Sequence, residues 1–473
     1  MKKFFISFTL ITAFYLNAQT VTADSSFGSN GFSVLSNQTD GDSVISSVVQ
    51  PDGKVIISGQ RINGANSHEV FISRLNADGT TDTTFANNGY FTSFQYPDAY
   101  VANLYLMGNK ILIFYPAQNT LIKLNPDGTL DSSFGVNGVF TIASGTNYSN
   151  GSVLLSNYLY IGKTENSQGV LQKIDVTAGN IVSTANIPGI SNIYGVYNGP
   201  GGKLLVKSIN NQTYTTYLTL LNTDGTIDST FGTNGTINTA SFSSLADYEN
   251  SYDYVTLDDA GNIIHGISNE NSFTTSVKKY TPAGSVMTTF ANNGTYQLAN
   301  TIISGLKTFS NQIYLSGASI DGSINIMVAR LNPNGTPDNS FNNNGIFVGN
   351  TNAYQEWAES FNVISPTTFF VAGEINNGTN NNIYAAKFNL LPTLSTTEAH
   401  LSNSVFFENP VKSNVIFQAN EKINKIEIYS ADGKHLRTIK ENDTNVSDLP
   451  KGIYIAKTEL QNGKVVVKKL IKQ

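Results

Sequence analysis

The phrase "LNADGTTDTTFANNG", Leu75 to Gly89, returns as "LNPDGTLDSSFGVNG" ending at Gly138, "LNTDGTIDSTFGTNG" at Gly235, "YTPAGSVMTTFANNG" at Gly294 and "LNPNGTPDNSFNNNG" at Gly345. A fragment, "DSSFGSNG", ends at Gly31, and the steps between terminal glycines are 58, 49, 97, 59 and 51 residues. The double-length step hides a worn copy in "QKIDVTAGNIVST" from Gln172, so the chain holds about seven units. A period of this size demands a repeat architecture. Between the phrases lie alternating segments joined by tight turns, as in "VISSVVQPDGKVIISGQ", where Asp52 and Gly53 make a hairpin turn. Four short strands per unit fit a propeller blade better than a solenoid coil.

The ends of the array sharpen this expectation. The last unit runs to "NIYAAKFNLLP" at Pro392 and stops without its Asp-x-x-Phe segment, whereas Asp24 to Gly31 supply that segment near the start. One blade would be completed from both ends, which closes a ring and removes exposed sheet edges. The expected fold is all-β: a seven-bladed β-propeller over residues 19–391, closed by its N- and C-terminal segments, then a small β-sandwich.

Composition agrees with short strands and polar turns: 13% of residues are charged, 11% are aromatic and Gly occurs 40 times in 473 residues. The opening "MKKFFISFTLITAFYLNAQ" has the basic, apolar, small-residue order of a secretory signal peptide over residues 1–18, with cleavage expected between Ala18 and Gln19. No second apolar span follows, so no transmembrane segment is expected. There is no Cys, which excludes disulfide stapling and a Cys-linked lipid anchor. From Gln19 to His400 there are 14 basic against 26 acidic residues, net −12, while Leu401 to Gln473 has 12 against 8, net +4. An acidic body argues against nucleic acid as a partner.

A linker, residues 392–400, separates the array from residues 401–473. There, "KIEIYS", the Asp432-Gly433 turn and the Gly463 turn before "KVVVKKLIK" describe a small antiparallel sandwich. On these features alone it is any β-module, a carbohydrate-binding one included.

Two resemblances attach to these residues. The phrase, preceded by Q-P-D-G-K and an apolar strand, resembles the delta-60 repeat of bacterial surface and secreted proteins, which implies a propeller-like array and an extracytoplasmic life but no catalytic residue. The tail resembles the type A C-terminal sorting domain of the type IX secretion system of Bacteroidetes. That match rests on Asn409 and Pro410; Ile428, Tyr429, Asp432 and Gly433; Leu449, Gly452, Ile453 and Tyr454; and Gly463, Lys468, Lys469, Leu470 and Lys472, in order. It implies the type IX translocon and a sortase-like processing enzyme as partners, removal of the tail near the linker, and a mature body attached to surface lipopolysaccharide. The basic face of the tail would be what the transporter recognises.

The body offers little chemistry. Asn76, Asp78 and Asp82 look like part of a calcium loop, yet the unit ending at Gly294 replaces the two acids by Ala283 and Met287 and keeps the rest. A turn survives that loss more easily than a metal site does. Asp82 before Thr83 and Thr84 is expected to form an Asx turn, and Phe27, Phe85, Phe134, Phe231, Phe290 and Phe341 to anchor each turn against a neighbouring blade. His68 and His265 lack metal-ligand spacing and read as surface or satisfied polar residues. Asp258 with Asp259, and Glu356 with Glu359 around Trp357, are the acid pairs a glycosidase would use. Asp42-Ser43-Val44, Asp82-Thr83-Thr84 and Asp228-Ser229-Thr230 resemble the short O-glycosylation signal of Bacteroidetes. No catalytic, metal-ligating or cofactor-binding residue is assigned, and no cofactor is expected. The expected function is a secreted or surface-attached, non-enzymatic propeller binding a glycan, peptide or protein; the alternatives are an extracellular carbohydrate-active enzyme and a structural adhesion component.

Overall fold

The computed structural model describes residues 19–35, 43–62, 68–96, 102–142, 147–342, 344–349, 355–376, 381–392, 405–407, 409–419, 422–431, 433–439, 445–461 and 465–473. The residues expected as signal peptide (1–18, with Ala18), most of the linker, Asp42, Asp432 and Gly463 lie outside them. The chain divides into two compact units, Met1–Thr393 and Leu394–Gln473. No helix among the described residues is long and apolar enough to cross a membrane.

In the first unit, alternating segments become antiparallel four-stranded sheets. The first sheet runs from Ser43–Val49 to Tyr90–Tyr96, the second from Asn103–Met107 to Val139–Thr141 and the third from Asn147–Leu155 to Asn180–Asn186. The fourth runs from Ile193–Asn198 to Thr236–Ser241 and the fifth from Ser251–Leu257 to Thr295–Ala299. The remaining strands form one nine-stranded sheet. Thr301–Phe309 to Ile346–Val348 make its first part, and Gln355–Ser365, Thr368–Asn376 and Asn381–Pro392 its second, joined by the single parallel pair Ile324 with Gln355. Divided at that pair, the composite yields a sixth and a seventh group; a count of seven blades depends on this division. The first strands of successive groups neighbour one another all the way round, that of the seventh meeting that of the first. The fold is a closed β-propeller, with these strands as its inner wall.

Closure comes from the N-terminal segment, as expected. Gln19–Ala23 pairs with residues 388–392 and Phe32–Leu35 with residues 383–386, both on Asn381–Pro392. The phrase is the fastener between sheets. Each Phe is buried: Phe85 lies among Ile56 and Val70 of the first sheet and Ile111 and Ile122 of the second, and Phe27 between the seventh group and the first sheet. The next N–H then donates to the phrase turn of the following unit: Gly28 to Asp78 at 2.6 Å, Ala86 to Asp127 at 2.6 Å, Gly135 to Ala178 at 2.9 Å, Gly232 to Ala283 at 2.8 Å and Ala291 to Asn334 at 2.7 Å. Asn342 closes the series by donating to Gln19 O at 2.8 Å.

A cation on the third strand completes the fastener. Arg74 sits 4.5 Å from the centre of the Phe85 ring, donates to Asp82 Oδ2 at 2.7 Å and reaches Pro126 O in the next unit. Asp82 Oδ1 accepts from Thr84 N at 3.1 Å, the expected Asx turn. Burial opposes ionisation of Asp82, but hydrogen bonds from Lys54 and Thr84 and the Arg74 charge outweigh it and hold the carboxyl well below its usual range. In the unit that carries Met287 the charge comes from elsewhere: Lys279 pairs with Asp258 of the hairpin turn at 2.8 Å. That swap explains how the phrase tolerates losing its acid.

These pairs set the acid limit of the ring. The Lys110 hydrogen bond, then that of Ser133, pushes Asp131 down to about 2. A depressed carboxyl contributes stability above its unfolded value of 3.8, and that contribution is lost as pH falls through about 2. Urea unfolding between pH 5 and pH 2 should show stability falling across this window, and Asp131→Asn should flatten the fall.

In the second unit, Val405–Phe406 pairs with Gln418–Ala419, and a four-stranded antiparallel sheet places His435–Ile439 beside Ile423–Ser430, then Gly452–Leu460, then Val465–Lys472. Val415, Ile428, Val446 and Leu470 are fully buried at its core.

Candidate functional site

The phrases and the first hairpin turn of each sheet share one rim of the ring; the other connections lie at the opposite rim. Toward the phrase rim, the inner wall encloses a cavity of about 800 Å³ lined by Tyr105, Ser152, Tyr197, Asn198, Lys307 and Thr308, among others. Hydrogen bonds between neighbouring sheets hold this wall. Tyr105 donates to Ser152 O at 2.8 Å, Thr308 to Leu257 O at 2.6 Å, Lys307 to Asn362 Oδ1 at 3.0 Å and Asn362 Nδ2 to Ser47 Oγ at 2.8 Å. Lys307 is exposed to the cavity yet ringed by protein, and that desolvation pushes its pKa down to about 8.

Burial first, and then nearby charges that include Glu359 on Gln355–Ser365, push up the pKa values of Tyr252 and Tyr254 of the fifth sheet and Tyr384 of the seventh group. Burial raises the pKa of Glu359; burial and then the Glu359 charge push that of Glu374 up to about 7. Glu356, by contrast, is fully buried and Trp357 is half-buried. Asp258 and Asp259 do not act together: Asp258 holds Lys279 and Asn262, and Asp259 is exposed. Among the described residues no group of three or more His, Asp or Glu side chains is placed to hold a metal ion.

His68 begins the strand His68–Leu75 of the first sheet. His265 is not a surface residue. It is buried, its Nε2 is 2.8 Å from Asp253 Oδ1, and Lys207 approaches Asp253 Oδ2 at 3.6 Å, joining the fourth and fifth sheets. Burial opposes the Asp253 charge, but Lys207 and then His265 overcome it and bring its pKa down to about 2.

Of the tail residues singled out from sequence, Asn409, Gly452, Tyr454, Lys468 and Lys469 come together around the last strand. Asn409 Nδ2 donates to Lys469 O and its Oδ1 accepts from Ile471 N, both at 2.8 Å, while the Asn409-Pro410 peptide is cis. Tyr454 donates to Pro450 O at 2.7 Å and pairs with Leu470; Gly452 pairs with Lys472, Lys468 with Ala456 and Lys469 with Ile455. Gly433 sits in a turn at φ +85°, its N–H donating to Ser430 O at 2.9 Å, and Tyr429 packs edge-on to His435 at 5.2 Å. Lys469 is exposed. Residues 405–473 match the family described as "Secretion system C-terminal sorting domain". The chain carries a type IX sorting domain. A sorting domain of this kind sends the protein through the type IX secretion machinery to the cell surface or the extracellular space.

Outside the sorting domain, residues 50–85, 113–134 and 310–341 match "Domain of unknown function (DUF5122) beta-propeller". No curated protein matches the chain. Among solved structures, a protein of unknown function from Dyadobacter fermentans is 11% identical at a TM-score of 0.40, over 78% of this chain and 98% of that one. The Dos1 propeller is 12% identical at 0.41, over 95% and 98%. A DUF4623 family protein from Bacteroides eggerthii is 14% identical at 0.34, over 72% and 87%.

Proposed function

We propose that the exported ring is a non-enzymatic recognition scaffold, displayed on the surface or released, which binds a glycan, peptide or partner protein. The observation that carries this reading is the wall of the axial cavity, where tyrosine, serine, threonine and asparagine stand among valine, leucine and glycine with one lysine and, among the described residues, no carboxylate. Glycoside hydrolysis needs two carboxyl groups flanking one bond, whereas neutral donors and acceptors on a rigid wall suit binding. A second reading, a carbohydrate-active enzyme, draws on Glu374 beside Glu359, because a carboxyl titrating at about 7 suits general acid work. Arrays of glycans, polysaccharides and peptides, with every retained probe examined for cleavage, separate the two. Intact probes are the expected result. Cleaved products whose formation stops in Glu374→Gln would replace the scaffold reading with the enzymatic one.

A further inference from the structure

We propose that the groove between the third and fourth sheets is a binding site for an uncharged saccharide chain. This inference rests on the binding reading of the ring, but it names a place and a ligand class which that reading leaves open.

The groove lies at the junction where the repeat fails. At five junctions the phrase-turn glycine abuts the Phe of the preceding unit: an added Cβ at Gly79 would meet Phe27, at Gly128 Phe85, at Gly179 Phe134, at Gly284 Phe231 and at Gly335 Phe290. The worn copy after Gln172 has no such Phe, and Gly225 faces the Cβ of Ala185 instead. The backbone donation that links the other phrases is missing there as well: among the described residues no main-chain N–H is paired with Asp224 O. A methyl group in place of a phenyl ring cannot fill the same wedge.

At that junction a groove of about 760 Å³ runs along the fourth sheet. Sixteen residues line it, none of them Asp, Glu, Lys, Arg or His. Ser208 and Thr219 are buried in its floor, and Thr219 Oγ1 lies 3.0 Å from Thr236 Oγ1. Tyr217 also lines the groove and is half-buried. Amides stand around the rim: Asn192, Asn211, Gln212 and Asn234. Asn210 Oδ1 is held by the N–H groups of Gln212 and Thr213 at 2.9 and 3.2 Å, so its Nδ2 donors are the part of that amide the turn does not use.

This chemistry selects its ligand. Side-chain amides present a donor and an acceptor side by side, which matches adjacent hydroxyls on a sugar, and an aromatic face stacks on the apolar side of a pyranose. A charged ligand would be stripped of water without any counter-charge in the groove, and an anion would also meet the field of a body with net charge −12.

The test uses the full chain against immobilised neutral polysaccharides (β-glucan, mannan, xylan) and anionic ones (polygalacturonate, hyaluronan). Tyr217→Ala and the double variant Asn192→Asp with Asn211→Asp should each weaken binding to a neutral polysaccharide tenfold or more. The double variant changes a half-buried and an exposed side chain, and unchanged thermal unfolding would show that its fold is kept. Undiminished binding by the double variant, or preference for the anionic polysaccharides, would overturn the groove site. Binding lost in Lys307→Met but not in the groove variants would overturn it too, while leaving the scaffold reading intact. If none of the polysaccharides in this panel binds, the groove site falls, and the scaffold reading then rests on the peptide and protein partners it also allows.

Discussion

A chain ending at Ser404 should vanish from the cell surface and the medium and accumulate in the periplasm. The ring itself should be unharmed, because its described core clusters are built from residues up to Leu390, and the tail packs around its own buried Val415, Ile428 and Leu470. Two measurements therefore have opposite expected results: cell fractionation should show near-complete loss of export, and thermal unfolding of the body should not move. Surface display at the parental level would refute the sorting role of residues 405–473. A fall in the melting temperature would instead mean that the tail supports the ring, and lost export would then report misfolding rather than a missing address.

The architecture was legible because the repeat writes its local chemistry into the chain. The anchoring by Phe85 and its counterparts, the Asx turn at Asp82 and the fragment at Asp24 that completes the last unit each depend on residues close in sequence or on comparison of copies. What stayed hidden depends on strands meeting across sheets. Nothing local to Met287 reveals that Asp258 takes over the charge of the missing acid, since the two are joined only through Lys279 on a strand between them. His265 is the satisfied polar residue rather than the surface one, and nothing local to it decides between the two, because Asp253, which pairs with it, and Lys207, which reaches Asp253, come from two other strands. Asp258 and Asp259 looked like a pair only because they are adjacent; a hairpin turn sends their side chains to different tasks. The worn copy was visible as a defect, but a groove is a property of two facing sheets, and no single segment spells it.

Removing Gln19–Leu35 should open the ring and cost it most of its stability. The segment buries Val21, Phe27 and Leu35, supplies two strands to Asn381–Pro392, and brings Asp24 to within 3.1 Å of Lys387. Gln19 also accepts from Arg330 and Asn342, so the same segment fastens the sixth group to the seventh. Emptying one buried Phe site costs about 3–5 kcal/mol, and a folded domain has only about 5–15 kcal/mol in hand. Phe290→Ala is the matched control: it removes the same ring from an equivalent slot but leaves both strands of the closure in place, so it should lose only the cavity contribution. The truncated chain should lose more than that in urea unfolding, and it should also elute as oligomers, because the bared edge of Asn381–Pro392 offers its N–H and C=O groups to another chain. A truncated ring that stays monomeric and no less stable than Phe290→Ala would mean that the blades close on one another without the strap.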